Sequence, residues 1–509
     1  MRQADAMRET LAPRPAFSEF YFGSEDPYNE VRDDRMKFIR SFVDPNDKID
    51  KIVNGRLTLI LGPKGTGKSA LAYYLGLTGQ PNGSGRYIAQ TRTADNLPLS
   101  DIPALKTGQV PGRQRTASAW RFILLANYLD VALSDTEVRV RGIRDIKRIL
   151  GILKDAGFMA GGSGRALAQF LDQTFTLPTD KAGSLFKSIG KTEVSIFDLI
   201  PSMTNWAKDI RSSNRHLLLL DGLDSIFLSD SEYDESLAGL MQAASSLNRE
   251  LSESSATGSI VLLLRNDVFH RVSLLLTDAH KQRANAYDLD WRTYSYGNDN
   301  TGPLIRLLNQ KARQGVSADS DVDVLEYFPV GMGHSKNRKN RSTLRYLMNF
   351  TRHTPRDLLQ LMEAIREEAE RRNLGPGETL PESVVREGID QYSSKYFISS
   401  LRGEFVGYHG GVEAIEGALR ALKLVPNNDF TRFDYAESVR THAPDYADDV
   451  DEFLRLFFRA GAVANLRNGT NGSRELVFHH RRDDVEPDLK GVLTMHSALI
   501  RAWSRGRRS

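Results

Sequence analysis

Cysteine is absent from the chain, which removes disulfides, thiol nucleophiles and the usual cysteine-rich structural zinc sites together. A reducing, cytoplasmic compartment is the simplest fit. Long apolar runs are missing too. No stretch approaches the roughly 18 uninterrupted apolar residues of a membrane span, and the opening "MRQADAMRETLAPRPAF" lacks an apolar core of signal-peptide length. The expectation is a soluble protein with no membrane partner. Net charge is also scarce: 68 basic against 65 acidic residues leave +3, too balanced to imply nucleic acid from the total. Neither a compact acidic nuclease cluster nor the H-R-D loop of kinases is present. What remains is ordinary globular composition, 40% hydrophobic and 26% charged over 509 residues, enough for two to four domains with a sizeable core.

The stretch "RLTLILGPKGTGKSALAYYL" (Arg56 to Leu75) runs from an apolar segment through a glycine-rich break into a helical pattern. Gly62, Gly67, Lys68 and Ser69 fit G-x-x-x-x-G-K-[ST], the phosphate-cradling loop. Glycine permits positive φ and close backbone approach, so that N–H groups can face phosphate oxygens. Lys68 would reach the β- and γ-phosphates, Ser69 would ligate Mg²⁺, and the helix starting near Gly67 favours an anion at its N-terminus. The candidate ATP-binding residues are therefore Gly62, Pro63, Lys64, Gly65, Thr66, Gly67, Lys68, Ser69 and Ala70.

Such a site needs an acid at the end of a neighbouring strand for the Mg²⁺ shell. "RHLLLLDGLDSIF" (Arg215 to Phe227) supplies one: Leu217 to Leu220 reads as a strand buried on both faces, and Asp221 ends it. Ser69 and Asp221 are the expected metal residues. The following residue is Gly222, where many AAA+ ATPases carry a glutamate, and the next acid is Asp224. This pattern resembles the STAND branch of P-loop NTPases, which are typically nucleotide-driven switches. The resemblance implies that Asp224 positions water and that turnover is slow. A third strand, "SIVLLLRNDVF" (Ser259 to Phe269), ends in Arg265 and Asn266, where AAA+ proteins place a polar sensor of the γ-phosphate; capping of the strand end is the alternative. "ANAYDLDW" (Ala284 to Trp291) reads as a fourth strand. Arg283 before it stands where AAA+ proteins often carry an arginine finger, although surface arginines are common.

The distance in sequence between Lys68 and Asp221 implies an insertion at about 92–200. Within it Ala117 to Leu133 reads as an apolar-faced helix around Trp120, "RVRGIRDIKRILGILKDAGF" has helical spacing, and "AGGSGRA" (Ala160 to Ala166) is glycine-rich. Family-specific function and plain packing on the core are both open readings for it. Beyond Trp291 the pattern is helical, strongest in "HTPRDLLQLMEAIREEAERRN" (His353 to Asn373), where Thr354 and Pro355 read as a helix start. Arg356 lies there in a Pro-Arg-Asp triplet. This resembles the sensor 2 region of origin-recognition-type AAA+ lids, which implies that Arg356 reaches the γ-phosphate; a solvated arginine is the alternative. Just upstream, Arg338, Lys339 and Arg341 belong to a basic run without an acid, a possible phosphate-backbone contact.

From about Leu380 short helices precede "GAVANLRNGTNGSRELVFHHR" (Gly461 to Arg481), a hairpin signal. The combination resembles a winged helix, with Arg467, Arg474, Arg481 and Arg482 on its wing. The basic tail "RAWSRGRRS" reads as a flexible end. "FSEFYFGSEDPYNEVRDDRMKFIRSFVDP" (Phe17 to Pro45) resembles the Phe-Gly element that precedes the core in a group of bacterial P-loop ATPases. In related architectures this element lies against adenine; Phe22 or Tyr21 would do so here, or be buried in the core. The expected fold class is α/β, an ASCE/AAA+-like P-loop NTPase sheet with a helical lid and a C-terminal winged-helix-like domain. The expected divisions are 1–50, a core at 51–300, a lid at 301–378 and the last domain at 379–509. The reading is an ATP- and Mg²⁺-dependent, slowly hydrolysing switch using Lys68, Asp221, Asp224, Asn266 and Arg356. It would act with a protein partner or by self-association, in bacterial defence or stress response by family type. The rival is a DNA-binding initiator or remodelling ATPase that would contact DNA through Arg338, Lys339, Arg341, Arg467 and Arg474.

Overall fold

The structure is a computed structural model and describes residues 14–80, 86–94, 112–155, 159, 175–176, 193–194, 196–223, 231–254, 256–292, 302–316, 322–329, 332, 343–408, 410–468, 474–481 and 485–505. The chain forms two compact units, Asn46–Asp290 and a second made of Met1–Pro45 with Trp291–Ser509.

The first unit is built on a parallel sheet of five strands: β1 (Leu59–Leu61), β2 (Tyr87–Thr93), β3 (Arg215–Asp221), β4 (Gly258–Leu264) and β5 (Ala286–Asp288). Their order across the sheet is β2-β3-β4-β1-β5. One strand, β4, thus separates the loop-bearing β1 from β3 and its terminal Asp221. This is the additional-strand topology of the expected class. Leu217 to Leu220 are all at or below 1% exposure, as a central strand covered on both faces requires. β1 and β5 are shorter than the apolar runs that announce them, because the ladder pairs only three residues of each.

The expected insertion helix runs over Gly112–Leu133 and belongs to the core layer. It packs on β3 and on the helices Ser231–Ser252 and Ile196–Asp209. Trp120, fully buried, donates its indole N–H to Ser236 Oγ at 3.1 Å, so this large ring enters the interior without an orphaned donor. Helix Ile143–Asp155 buries Ile146, Ile149, Leu150 and Leu153 along one face, at the spacing read in its sequence. The glycine-rich segment Ala160 to Ala166 lies outside the described residues.

In the second unit, helices Pro303–Arg313 and Pro355–Arg371 share a core with the N-terminal aromatic segment. Phe22 is buried beside Phe17 and Phe20, while Tyr21 keeps partial exposure under the Lys37 ammonium, 4.0 Å from its ring centroid. Glu30 pairs with Lys311 inside this unit, and Tyr327 donates to the carbonyl of Pro15 at 2.9 Å.

A four-stranded antiparallel sheet follows: β6 (Asp429–Phe430), β7 (Val463–Asn468), β8 (Arg474–Val477) and β9 (Val492–Met495), in the order β8-β7-β9-β6. The β7–β8 hairpin is the one its sequence signals. β9 is not signalled; it inserts between β7 and β6 and joins the hairpin to the helices Gly411–Leu424, Arg432–His442 and Val450–Arg459. Of the tail expected to be a flexible end, residues 501–505 close a helix, and 506–509 lie outside the described residues. Ser497–Arg505 is a helix, with Leu499 fully buried and Trp503 packed on the same core. Its apolar residues outweigh its basic composition.

Candidate functional site

The glycine loop joins β1 to helix Lys68–Thr78. Gly65 and Gly67 have φ of +81° and +91°, conformations that residues with a Cβ rarely adopt. A Cβ on Gly62 would lie 2.5 Å from Thr66 Oγ1, whose hydroxyl donates to Pro63 O at 2.8 Å. The helix has Gly67 as its N-cap and no side chain capping it. Its first N–H groups consequently face the loop, where the macrodipole adds positive potential. Lys68 is only 8% exposed, and its ammonium donates to the carbonyls of Gly62 (2.8 Å) and Pro63 (3.1 Å). The cation therefore lies over the loop itself. Ser69 and Ala70 follow on the first turn, half-buried, while Pro63 is exposed and Lys64 and Gly65 half-buried.

Because the sheet is parallel, all its strands deliver their C-terminal ends to this edge. Leu61 pairs with Leu264, so Arg265 continues β4 beside Gly62, and Thr93 stands opposite Asp221 across β2–β3. Asp221 is half-buried and accepts from the N–H of Gly222 at 2.8 Å. Gly222 has φ of +75°, which suits glycine where the expected pattern of the larger class places glutamate. Asn266 begins helix Asn266–Ser273; its Oδ1 is buried and makes no hydrogen bond among the described residues. A buried acceptor without a donor costs about 1–3 kcal/mol. A ligand or water that donates to this oxygen would relieve that cost.

Arg265 forms a two-pronged pair with Asp267, Nε to Oδ1 at 3.0 Å and Nη2 to Oδ2 at 2.9 Å. Desolvation opposes ionisation of that carboxyl, but the charge and hydrogen bonds of Arg265, the N–H of Val268 and the charge of Lys68 hold it below its usual range. Asp267 is thus electrostatically linked to both cations at the loop. Sequence reading missed it; its only signal was its position two residues beyond Arg265. Arg283 pairs with Asp288 at 2.9 Å, with both side chains about half exposed.

Two expected groups are not brought to this edge by the described structure of the first unit. Asp224 lies outside the described residues. Arg356 belongs to the second unit, at the second position of helix Pro355–Arg371, half-buried, where its charge is felt by Tyr396. The neighbouring Asp357 is fully buried and takes three hydrogen bonds from Arg352, at 2.8, 2.9 and 2.9 Å, and one from Tyr396 at 3.1 Å. Among the described residues no group of three or more His, Cys, Asp or Glu side chains could hold a metal ion.

Arg338, Lys339, Arg341 and Arg482 lie outside the described residues. Arg467 is exposed, but Arg474 pairs with Asp429 at 3.1 Å. The third helix of the C-terminal module, Val450–Arg459, follows Asp445, Asp448 and Asp449 and opens with Asp451 and Glu452. An acidic helix start repels a phosphate backbone.

The strand order and the loop define the class: an α/β P-loop NTPase-type core of the ASCE/AAA+-like arrangement, accompanied by helices and a small C-terminal antiparallel sheet. No family model matches the chain, and no curated protein matches it. Among solved structures, a chain from a structure of Drosophila ORC bound to DNA aligns over 96% of this chain and 93% of its own, at 12% identity and a TM-score of 0.27. At that score the likeness carries no argument, and the class stands on the strand order and the loop. No described helix is long and apolar enough to cross a membrane.

Proposed function

We propose that the chain is a nucleotide-binding P-loop ATPase that works as a slow conformational switch. The observation that carries this reading is the loop: two glycines at positive φ, a third whose Cβ position is taken by Thr66, and an uncapped helix N-terminus beside Lys68. These features suit the triphosphate of ATP, with backbone N–H groups of Lys64 to Ala70 as donors and Lys68 leaving the carbonyls of Gly62 and Pro63 for phosphate oxygens. The donor set fits Mg²⁺ as well. Ser69 and Asp221 are hard oxygen ligands, and this ion takes few protein ligands, completing its shell with phosphate and water. When bound it would neutralise charge developing on the transferred phosphoryl group.

Two further roles complete the reading. Asn266 would orient attacking water through its unsatisfied Oδ1, and Asp224 is the acid proposed to assist it. With glycine at 222 in place of an adjacent glutamate, turnover is slow and binding itself is the signal. A ligand that favours one of two arrangements shifts their populations by its differential affinity, which is how a slow ATPase gates a protein partner or its own assembly.

The test is ATP turnover by the purified full chain, alone and with duplex DNA at two salt concentrations, beside Lys68→Ala. Slow turnover that DNA leaves unchanged and Lys68→Ala abolishes is expected. Stimulation by DNA that fades with salt would transfer the proposal to an initiator or remodelling ATPase.

A further inference from the structure

At the loop edge Lys68 lies over the glycine loop, and Arg265 is paired with the Asp267 carboxylate. Arg265 is 14% exposed and gripped through both oxygens of Asp267, which is itself 52% exposed. The pairing of Leu61 with Leu264 fixes Arg265 beside the first glycine of the loop. Asp267 occupies the first turn of helix Asn266–Ser273, so its position is set by a helix rather than a free loop.

A carboxylate and a terminal phosphate are alternative partners for one guanidinium, since both accept its paired N–H groups. We infer that Asp267 competes with the terminal phosphate of a bound nucleoside triphosphate for Arg265 and thereby sets how strongly the site prefers triphosphate over diphosphate. The inference rests on the nucleotide-binding reading given above. Asp267 is a positioning residue in this account, acting through Arg265. A diphosphate offers no terminal group at Arg265, so its affinity is indifferent to the pair. A triphosphate must draw Arg265 away from Asp267, and part of its binding free energy is spent on that exchange.

Equilibrium binding of ATP and ADP, each with Mg²⁺, to the full chain and its variants separates the possibilities. Asp267→Asn keeps the side-chain volume and removes the charge; it should tighten ATP by about tenfold, the scale of one charge-assisted hydrogen-bonded pair, and change ADP less than about twofold. Arg265→Ala should lower the ATP preference, and Arg265→Ala with Asp267→Asn should match Arg265→Ala alone, because the pair acts as a unit. Asp267→Glu, which retains the charge, should keep the wild-type ratio and controls for damage to the fold. An unchanged or lowered ATP-to-ADP affinity ratio in Asp267→Asn would overturn the inference while wild-type binding of both nucleotides leaves the parent reading intact. Failure of the wild type to bind either nucleotide would instead remove the parent reading, and this inference with it.

Discussion

Gly67 turns the chain with φ of +91° immediately before Lys68, and Gly62 leaves no room for a Cβ beside Thr66. At such positions the sequence pattern and the backbone requirement are the same statement, which is why the loop was legible residue by residue. Gly67→Ala should cost about 1–3 kcal/mol of strain, and it should weaken ATP binding more than it lowers the melting temperature, because the strain falls on the phosphate cradle. Titration calorimetry beside a thermal melt checks this; loss of stability with intact binding would contradict it. Other residues were hidden for an equally physical reason. Asp267 is legible only once the β1–β4 register places Arg265 at the loop and the charge of Lys68 reaches it, and no local pattern encodes a register between strands so distant in sequence.

At the scale of the element, β3 was readable because a strand covered on both faces needs an unbroken apolar run, and "LLLL" before Asp221 is one. Leu219→Ala should destabilise the first unit by about 2–5 kcal/mol through lost burial and the cavity left behind, measured by denaturant unfolding. A loss within experimental error would mean that the strand is not central. Helix Pro355–Arg371 was likewise announced by its cap, since Thr354 Oγ1 accepts the N–H of Asp357 at 3.2 Å. What its sequence did not announce is that Asp357 is a buried anchor for Arg352. Asp357→Ala leaves that guanidinium without its main partner at 10% side-chain exposure and should cost about 3–5 kcal/mol. A chemical denaturation midpoint equal to the wild type's would refute this. β9 and the terminal helix were missed because their structure depends on non-local pairing and burial, whereas the local signals are a tetrad with only three apolar residues and a basic composition.

Across the whole molecule, burial lowers the pKa of His216 in the first unit and of a cluster of histidines in the second. His353, His480 and His496 approach one another with ring centroids 5.4 and 5.9 Å apart. Burial, reinforced by the charges of Arg481 and His496 for His353 and of Arg352 for His496, pushes both to about 3, and His480 is driven well below its ordinary value. The Asp357 carboxylate opposes the shift at His353 and His496 without reversing it. Folded pKa values below the unfolded value mean that the unfolded chain takes up protons first on acidification. Stability is complete above about pH 6.5 and falls as pH drops toward 3, by up to about 1.4 kcal/mol per histidine per pH unit. His480→Phe, which preserves the stack on Phe478 (4.7 Å), should therefore shrink the loss of melting temperature between pH 7.5 and 5. An unchanged loss would show that the cluster does not control it.

Every role proposed for these residues depends on the loop binding nucleotide. The most direct measurement is calorimetric titration of the full chain with ATP and Mg²⁺, beside Lys68→Ala. Saturable binding at one site per chain, lost in Lys68→Ala while its melting curve stays that of the wild type, is the predicted result. An absence of binding by the folded wild type, or equal binding by both proteins, would contradict the account.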